Sequence, residues 1–218
     1  MKKRISTIAN LVQSFNPKLV YDIGCDHSYL TSYLIKTNQN LTIVNSDISK
    51  NALLSNYQKF KNNNNIHFFV SDGFNNLPEL NINPKIGVIA GLGGLKIINI
   101  ISQKENFINR FVIQPQSNLI ELRSFLSLNS WDIVNETLVQ DREFIYPILV
   151  IEKLKKPFKL TKELVILGPK LINFKDKHCL MKHYQCLLRV YQPKQKPSLM
   201  DLKIIETLNK IITSYESS

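Results

Sequence analysis

Five short clusters of polar and small residues interrupt the apolar runs of this sequence. They are Gly24, Asp26, His27 and Tyr29 within DIGCDHSYL; Asp47 and Ile48; Ser71-Asp72-Gly73-Phe74; Ala90-Gly91-Leu92-Gly93-Gly94; and Gln114-Pro115-Gln116. The single glycine of the first cluster lets backbone pass close to a ligand where a Cβ would collide. It cannot supply the several free amides at a helix N-terminus that cradle a pyrophosphate. Asp47 can accept hydrogen bonds from both hydroxyls of a ribose, Asp72 from an adenine amino group, and Phe74 can cover a ring. The chemistry is that of a nucleoside ligand without a phosphate to hold. Ser-His-Asp hydrolysis has no supporting nucleophile elbow.

The apolar runs on either side of these residues are short and alternate with amphipathic stretches. Ile5, Ile8, Leu11, Val12 and Phe15 recur at helical spacing until Pro17 ends the helix, and a strand follows at about 18–23. Strands are expected at 41–46, 66–70, 85–90 and 110–114, with helices at 28–36, 49–61, 93–103 and 116–128 between them. Runs apolar on both faces suit a parallel sheet covered by helices on each side. The β-rich runs 131–141 and 142–153, joined at Gln140-Asp141-Arg142, read as a hairpin. Five βα units closed by a hairpin, rather than by another parallel strand, is the order of a Rossmann-like class I methyltransferase core. In such doubly wound sheets ligands bind beyond the carboxyl ends of the strands, which is where all five clusters fall.

S-adenosylmethionine gives each cluster a task, so the expected cofactor site is Gly24, Asp26, His27, Asp47, Ile48, Ser71, Asp72, Gly73, Phe74, Ala90, Gly91, Leu92 and Gly93. Individually the features are ordinary: a lone glycine after a strand is common, Asp47 with Ser49 could cap a helix, and Ser71-Asp72-Gly73 could be a plain turn. Their joint occurrence at successive strand ends is what points to one ligand.

Taken in order, DIGCDHSYL, Asp47, SDGF, AGLGG and QP resemble the bacterial tRNA adenine-22 N1-methyltransferase family, whose pattern is close to DIG-x-DHAYLP, an acid, GDGL, AGMGG and QPN. The resemblance spans residues 4–153 and extends to ILGPKL at 166–171, similar to the family's lead-in to a helical hairpin. It implies a class I fold, S-adenosylmethionine as methyl donor, an adenosine in the D-arm region of tRNA as substrate, and a C-terminal coiled-coil hairpin that helps hold the tRNA. Departures are Thr31 for proline, Ser71 for glycine, Leu92 for methionine, Gln116 for asparagine, and Asp47 for the usual glutamate. Asp26 and Tyr29 are the candidate catalytic residues, stabilising the charge that develops on the methylated ring. Core packing remains the other reading of Tyr29. Substrate contacts are expected from Tyr29, Gln114, Pro115 and Gln116. AGLGG lacks the Asn/Asp-Pro-Pro-aromatic run that holds an exocyclic amine, which favours a ring nitrogen as acceptor.

Charge distribution agrees with a polyanionic partner. The 218 residues carry +11 overall; residues 1–150 hold 14 Lys+Arg against 11 Asp+Glu, and residues 151–218 hold 14 against 6. Basic surface neutralises phosphates, so the last third is the expected tRNA contact. KLKKPFK marks a boundary, dividing a methyltransferase domain (1–156) from a basic helical domain (157–218). There Leu180, Tyr184, Leu187 and Tyr191, and Ile204, Leu208, Ile211 and Tyr215, form two stripes of an antiparallel helical hairpin interrupted at QPKQKPS. The Cys179, His183 and Cys186 face suggests packing, since a structural zinc site needs a fourth ligand. Three cysteines, no apolar run of about 18 residues and a charged N-terminal stretch imply a soluble cytoplasmic protein, expected as a monomer without metal. Two alternatives stay open: a methyltransferase of another substrate, and a non-catalytic RNA-binding module on this fold.

Overall fold

A computed structural model describes residues 3–103, 107–156, 159–192 and 196–217. After helix α1 (Lys3–Gln13) come β1 (Leu19–Ile23), α2 (Tyr29–Thr37), β2 (Thr42–Asp47), α3 (Lys50–Phe60), β3 (Ile66–Val70), β4 (Lys85–Leu92), α4 (Gly94–Gln103), β5 (Arg110–Pro115) and α5 (Leu119–Leu128). The chain then forms β6 (Trp131–Asp141), β7 (Phe144–Lys153), α6 (Lys162–Leu167), α7 (Lys177–Tyr191) and α8 (Leu199–Glu216). The seven strands lie in the order β3-β2-β1-β4-β5-β7-β6, with β7 antiparallel to both its neighbours. The closing hairpin therefore folds back beside β5, and the order reverses between β1 and β4, opening a crevice at their carboxyl ends.

Alternation along each strand feeds two cores. Leu19, Tyr21 and Ile23 of β1 enter the layer with α4 and α5, while Val20 enters the layer with α1 and α2. On β6 a register shift between Ile133 and Asn135 reverses this phase. Trp131 and Ile133 precede the bulge, Glu136 and Leu138 follow it, and all four face the α5 layer.

Glu136 thereby meets Arg123 of α5, both fully buried: Arg123 Nε donates to Glu136 Oε1 at 2.9 Å, and Nη2 lies 2.7 Å from the same oxygen. Arg123 Nη1 donates to Val165 O at 3.2 Å and Ile166 O at 2.9 Å, engaging carbonyls of α6. The Tyr184 hydroxyl of α7 donates to Leu167 O at 2.8 Å. Burial, with Arg123 adding to it, lowers His183 to about 3, so the imidazole is neutral at physiological pH. Leu180, Tyr184 and Tyr191 of α7, with Ile204, Leu208 and Ile212 of α8, belong to the same apolar cluster as the sheet. The two basic helices pack on each other and share the core of the seven-stranded sheet. Asp176 caps α7 by accepting from Cys179 N, and Ser198 with Asp201 forms a capping box on α8. Tyr215, expected in the second stripe, is 41% exposed, and Ile212 lies inward on α8.

Candidate functional site

A cleft of about 380 Å³ opens at the ends of β1, β2 and β4. The DIGCDHSYL turn forms one wall, and its backbone explains why one glycine suffices. Gly24 (φ 75°), Asp26 (φ 40°) and Ser28 (φ 50°) are all left-handed, so two such positions are occupied by residues with side chains. A Cβ at Gly24 would lie 3.7 Å from Leu92 Cδ1, an ordinary contact, so conformation rather than protein crowding demands glycine there. The turn is held from beneath: Gly24 N and Cys25 N both donate to Ser46 O, at 2.8 and 3.0 Å. Asp26 N donates to Asp47 Oδ2 at 3.1 Å, and Asp26 O accepts from Asn56 Nδ2.

Asp47 connects two turns, because its Oδ1 also accepts from Ser49 N at 2.9 Å. The α3 cap is Ser49 itself, which accepts from Ala52 N. Each Asp47 oxygen has accepted one bond and retains acceptor capacity for a ribose hydroxyl. His27 Nε2 lies 3.6 Å from Asp26 Oδ2, and the His27 and Tyr29 rings are 5.4 Å apart. Tyr29 is 51% exposed, so its ring serves the cleft wall rather than the core. Ile48, 62% exposed, adds an apolar side chain to the cleft lining.

Eleven of the thirteen expected cofactor residues line this cleft: Gly24, Asp26, His27, Asp47, Ile48, Ser71, Asp72, Gly73, Ala90, Gly91 and Leu92. Phe74 does not. Its side chain is buried among Tyr21, Phe107 and Phe111, at ring separations of 5.9 to 6.1 Å, leaving no face for a ligand. Gly93 also lies outside the lining, and the adjacent Gly94 shows why this loop is small. A Cβ on Gly94 would come within 2.5 Å of Asn118 O and 2.7 Å of Ser117 O, where the α4 N-terminus crosses the loop after β5. Among the substrate candidates, Tyr29 and Gln116 line the cleft. Pro115 is buried and lies outside the lining, and Gln114 is an internal brace whose Oε1 accepts from Arg4 Nη1 at 3.1 Å.

Asp22, Arg4 and Lys96 also line the cleft and were not among the expected residues. Asp22 carried a signal: an acid in the middle of an apolar strand is costly unless something uses it. Its carboxyl is raised to about 7, first by burial and then by the negative charge of Asp47. A ligand cation would relieve both. Burial likewise pushes the Cys25 thiol up, so it is not a thiolate at neutral pH. Among the described residues no group of three or more His, Cys, Asp or Glu is placed to hold a metal ion, and no helix is long and apolar enough to cross a membrane.

Comparison with known proteins agrees with this geometry. The profile of the family described as tRNA (adenine(22)-N(1))-methyltransferase, TrmK, matches residues 20–214. A Mycoplasma pneumoniae protein named as a candidate tRNA methyltransferase is 54% identical over 213 residues, 97% of this chain and 100% of that one. The Bacillus subtilis tRNA (adenine(22)-N(1))-methyltransferase is 26% identical over 157 residues, 70% of this chain and 65% of that one. Among solved structures, Mycoplasma capricolum TrmK in complex with S-adenosyl-homocysteine superposes with a TM-score of 0.79 at 22% identity, covering 98% of both chains. A chain matched by the family profile over residues 20–214, with the fold and strand-end cleft described above, belongs to the TrmK family.

Proposed function

We propose that the protein transfers the methyl group of S-adenosylmethionine to N1 of adenosine 22 in tRNA. The observation that carries this is the convergence of Asp22, Asp47, Asp72 and the strained DIGCDHSYL turn on one cleft in a chain of this family. The groups present fit the cofactor: Asp22 is a buried carboxyl suited to an ammonium, Asp47 retains acceptors for a ribose diol, and Ile48 offers an apolar face to a ring. Bound there, S-adenosylmethionine supplies a methyl group on a positively charged sulfur.

The adenine N1 lone pair lies in the ring plane and attacks directly, so a new N–CH3 bond forms as the S–CH3 bond breaks. Alignment therefore matters more than a strong base. Tyr29 at the cleft wall offers a face for the base, and Asp26 a carboxylate beside the positive charge that the ring acquires. His27, its Nε2 3.6 Å from Asp26 Oδ2, is placed to orient the cofactor or Asp26. Exposed lysines on the C-terminal helices, including Lys182, Lys203 and Lys210, attract the tRNA backbone. Incubation of labelled S-adenosylmethionine with unmodified tRNA, followed by nucleoside mapping, tests the reading. N1-methyladenosine at position 22 is expected; label at another atom, or none, overturns it.

A further inference from the structure

Beside the cofactor cleft lies a second concavity of about 440 Å³, bounded by α1, α2 and the tip of the β6–β7 hairpin. Ile5 and Tyr29 line both cavities, so the Tyr29 ring stands between them. One helical turn on, Tyr33 lines the groove with its hydroxyl donating to Asn10 Oδ1 at 3.2 Å. Two cations stand at the rim, Lys36 near the end of α2 and Arg142 at the hairpin tip, both exposed. One acid, Asp141, also lines it; its Oδ2 accepts from Arg4 N at 3.3 Å, at the start of α1, where the helix dipole offsets negative charge. Two aromatic side chains beside two cations match a nucleobase with its phosphate, and the groove is continuous with the proposed site of methyl transfer.

We infer that this groove binds the nucleotide of the tRNA that flanks the methylated adenosine, its base against Tyr33 and its phosphate between Lys36 and Arg142. This rests on the function proposed above. An adenosine drawn into the cleft across Tyr29 brings its neighbour along the same wall, because the backbone joining consecutive nucleotides is continuous. The groove thereby holds the strand in the opened arrangement that exposes the target base.

Steady-state kinetics with tRNA transcripts test this, using tRNAs abasic at the nucleotide on either side of adenosine 22. Tyr33→Ala should raise KM for tRNA about ten-fold, within the range of a lost base–aromatic stack, with kcat within about two-fold and S-adenosylhomocysteine affinity unchanged. Tyr33→Phe, which keeps the ring and loses the Asn10 bond, should behave as wild type. One abasic transcript should show the same loss with the wild-type enzyme and no further loss with Tyr33→Ala. Lys36→Glu and Arg142→Glu, both on the surface, should each lower the salt dependence of tRNA binding by about one unit of slope. An unchanged KM for Tyr33→Ala, or additive losses with both abasic transcripts, overturns the groove. Failure of the wild-type enzyme to methylate adenosine 22 would instead overturn the function on which it rests.

Discussion

Asp22 shows how a single carboxyl can work against the fold and for the ligand. Its proton is held to about 7 in the folded chain against an ordinary 3.8, so the unfolded state releases it first. The stability that Asp22 contributes is full below about pH 4 and is lost as pH rises through about 7. Asp22→Asn should therefore raise the melting temperature at about pH 8 while weakening S-adenosylhomocysteine binding at least ten-fold, as read by thermal denaturation and calorimetry. For wild type, affinity should increase from about pH 6 to about pH 8 as the carboxylate forms, with Asp47, Asp26, Asp72, His27, Cys25, Lys96 and Arg4 lining the same cleft. Asp26 carries a comparable conflict in its backbone. Asp26→Gly should relieve the left-handed strain, worth up to ~1 kcal/mol, yet lose methyl transfer by at least a hundred-fold, as should Asp26→Ala and Tyr29→Ala. In all three, tRNA binding should persist; near-normal turnover would remove Asp26 and Tyr29 from the mechanism. The eleven expected residues that line the cleft were legible because they fall just past apolar runs, whereas Asp22 inside β1 and Arg4 and Lys96 on helices were not. Phe74 was misleading because sequence shows an aromatic after a turn but not which way it points.

At the level of elements, strand positions were readable within a few residues because both-sided apolar runs have few other uses in a chain of this length. Two departures have local causes. Helix α5 begins at Leu119 rather than 116, since Asn118 adopts a left-handed conformation and Gln116 N is committed to Leu92 O. The six-residue α6 had no periodicity long enough to detect; its carbonyls are fixed by Arg123, a partner more than forty residues distant. The β6 bulge was also invisible, although it is what turns Glu136 inward. Arg123→Ala should cost about 3–5 kcal/mol by leaving Glu136 buried and unpaired. Arg123→Met with Glu136→Leu should recover only part of this, because the Val165 and Ile166 carbonyls stay unsatisfied. Denaturant titration of the two variants distinguishes pair loss from simple packing loss.

Across the whole molecule the charge asymmetry was plain in the sequence, but the shared core of sheet and C-terminal helices was not, since an amphipathic stripe does not say what it packs against. That core makes charge reversal a better probe of tRNA binding than truncation, which would uncover the apolar faces of α5 and the sheet. Lys182→Glu with Lys203→Glu and Lys210→Glu should weaken tRNA binding at least ten-fold and flatten its salt dependence, measured by filter binding, with S-adenosylhomocysteine affinity unaltered. Unchanged affinity would place the tRNA elsewhere on the surface. The buried Arg123–Glu136 pair has one more consequence, because it ties α6 to α5 and β6, and α7 and α8 pack into the same core. Basic surface and methyl-transfer cleft are thus two marks on one ruler. If the basic helices hold the tRNA backbone as proposed, a base reaches the cleft only at a set span from that grip, and the nucleotide is then chosen by length as well as by chemical identity.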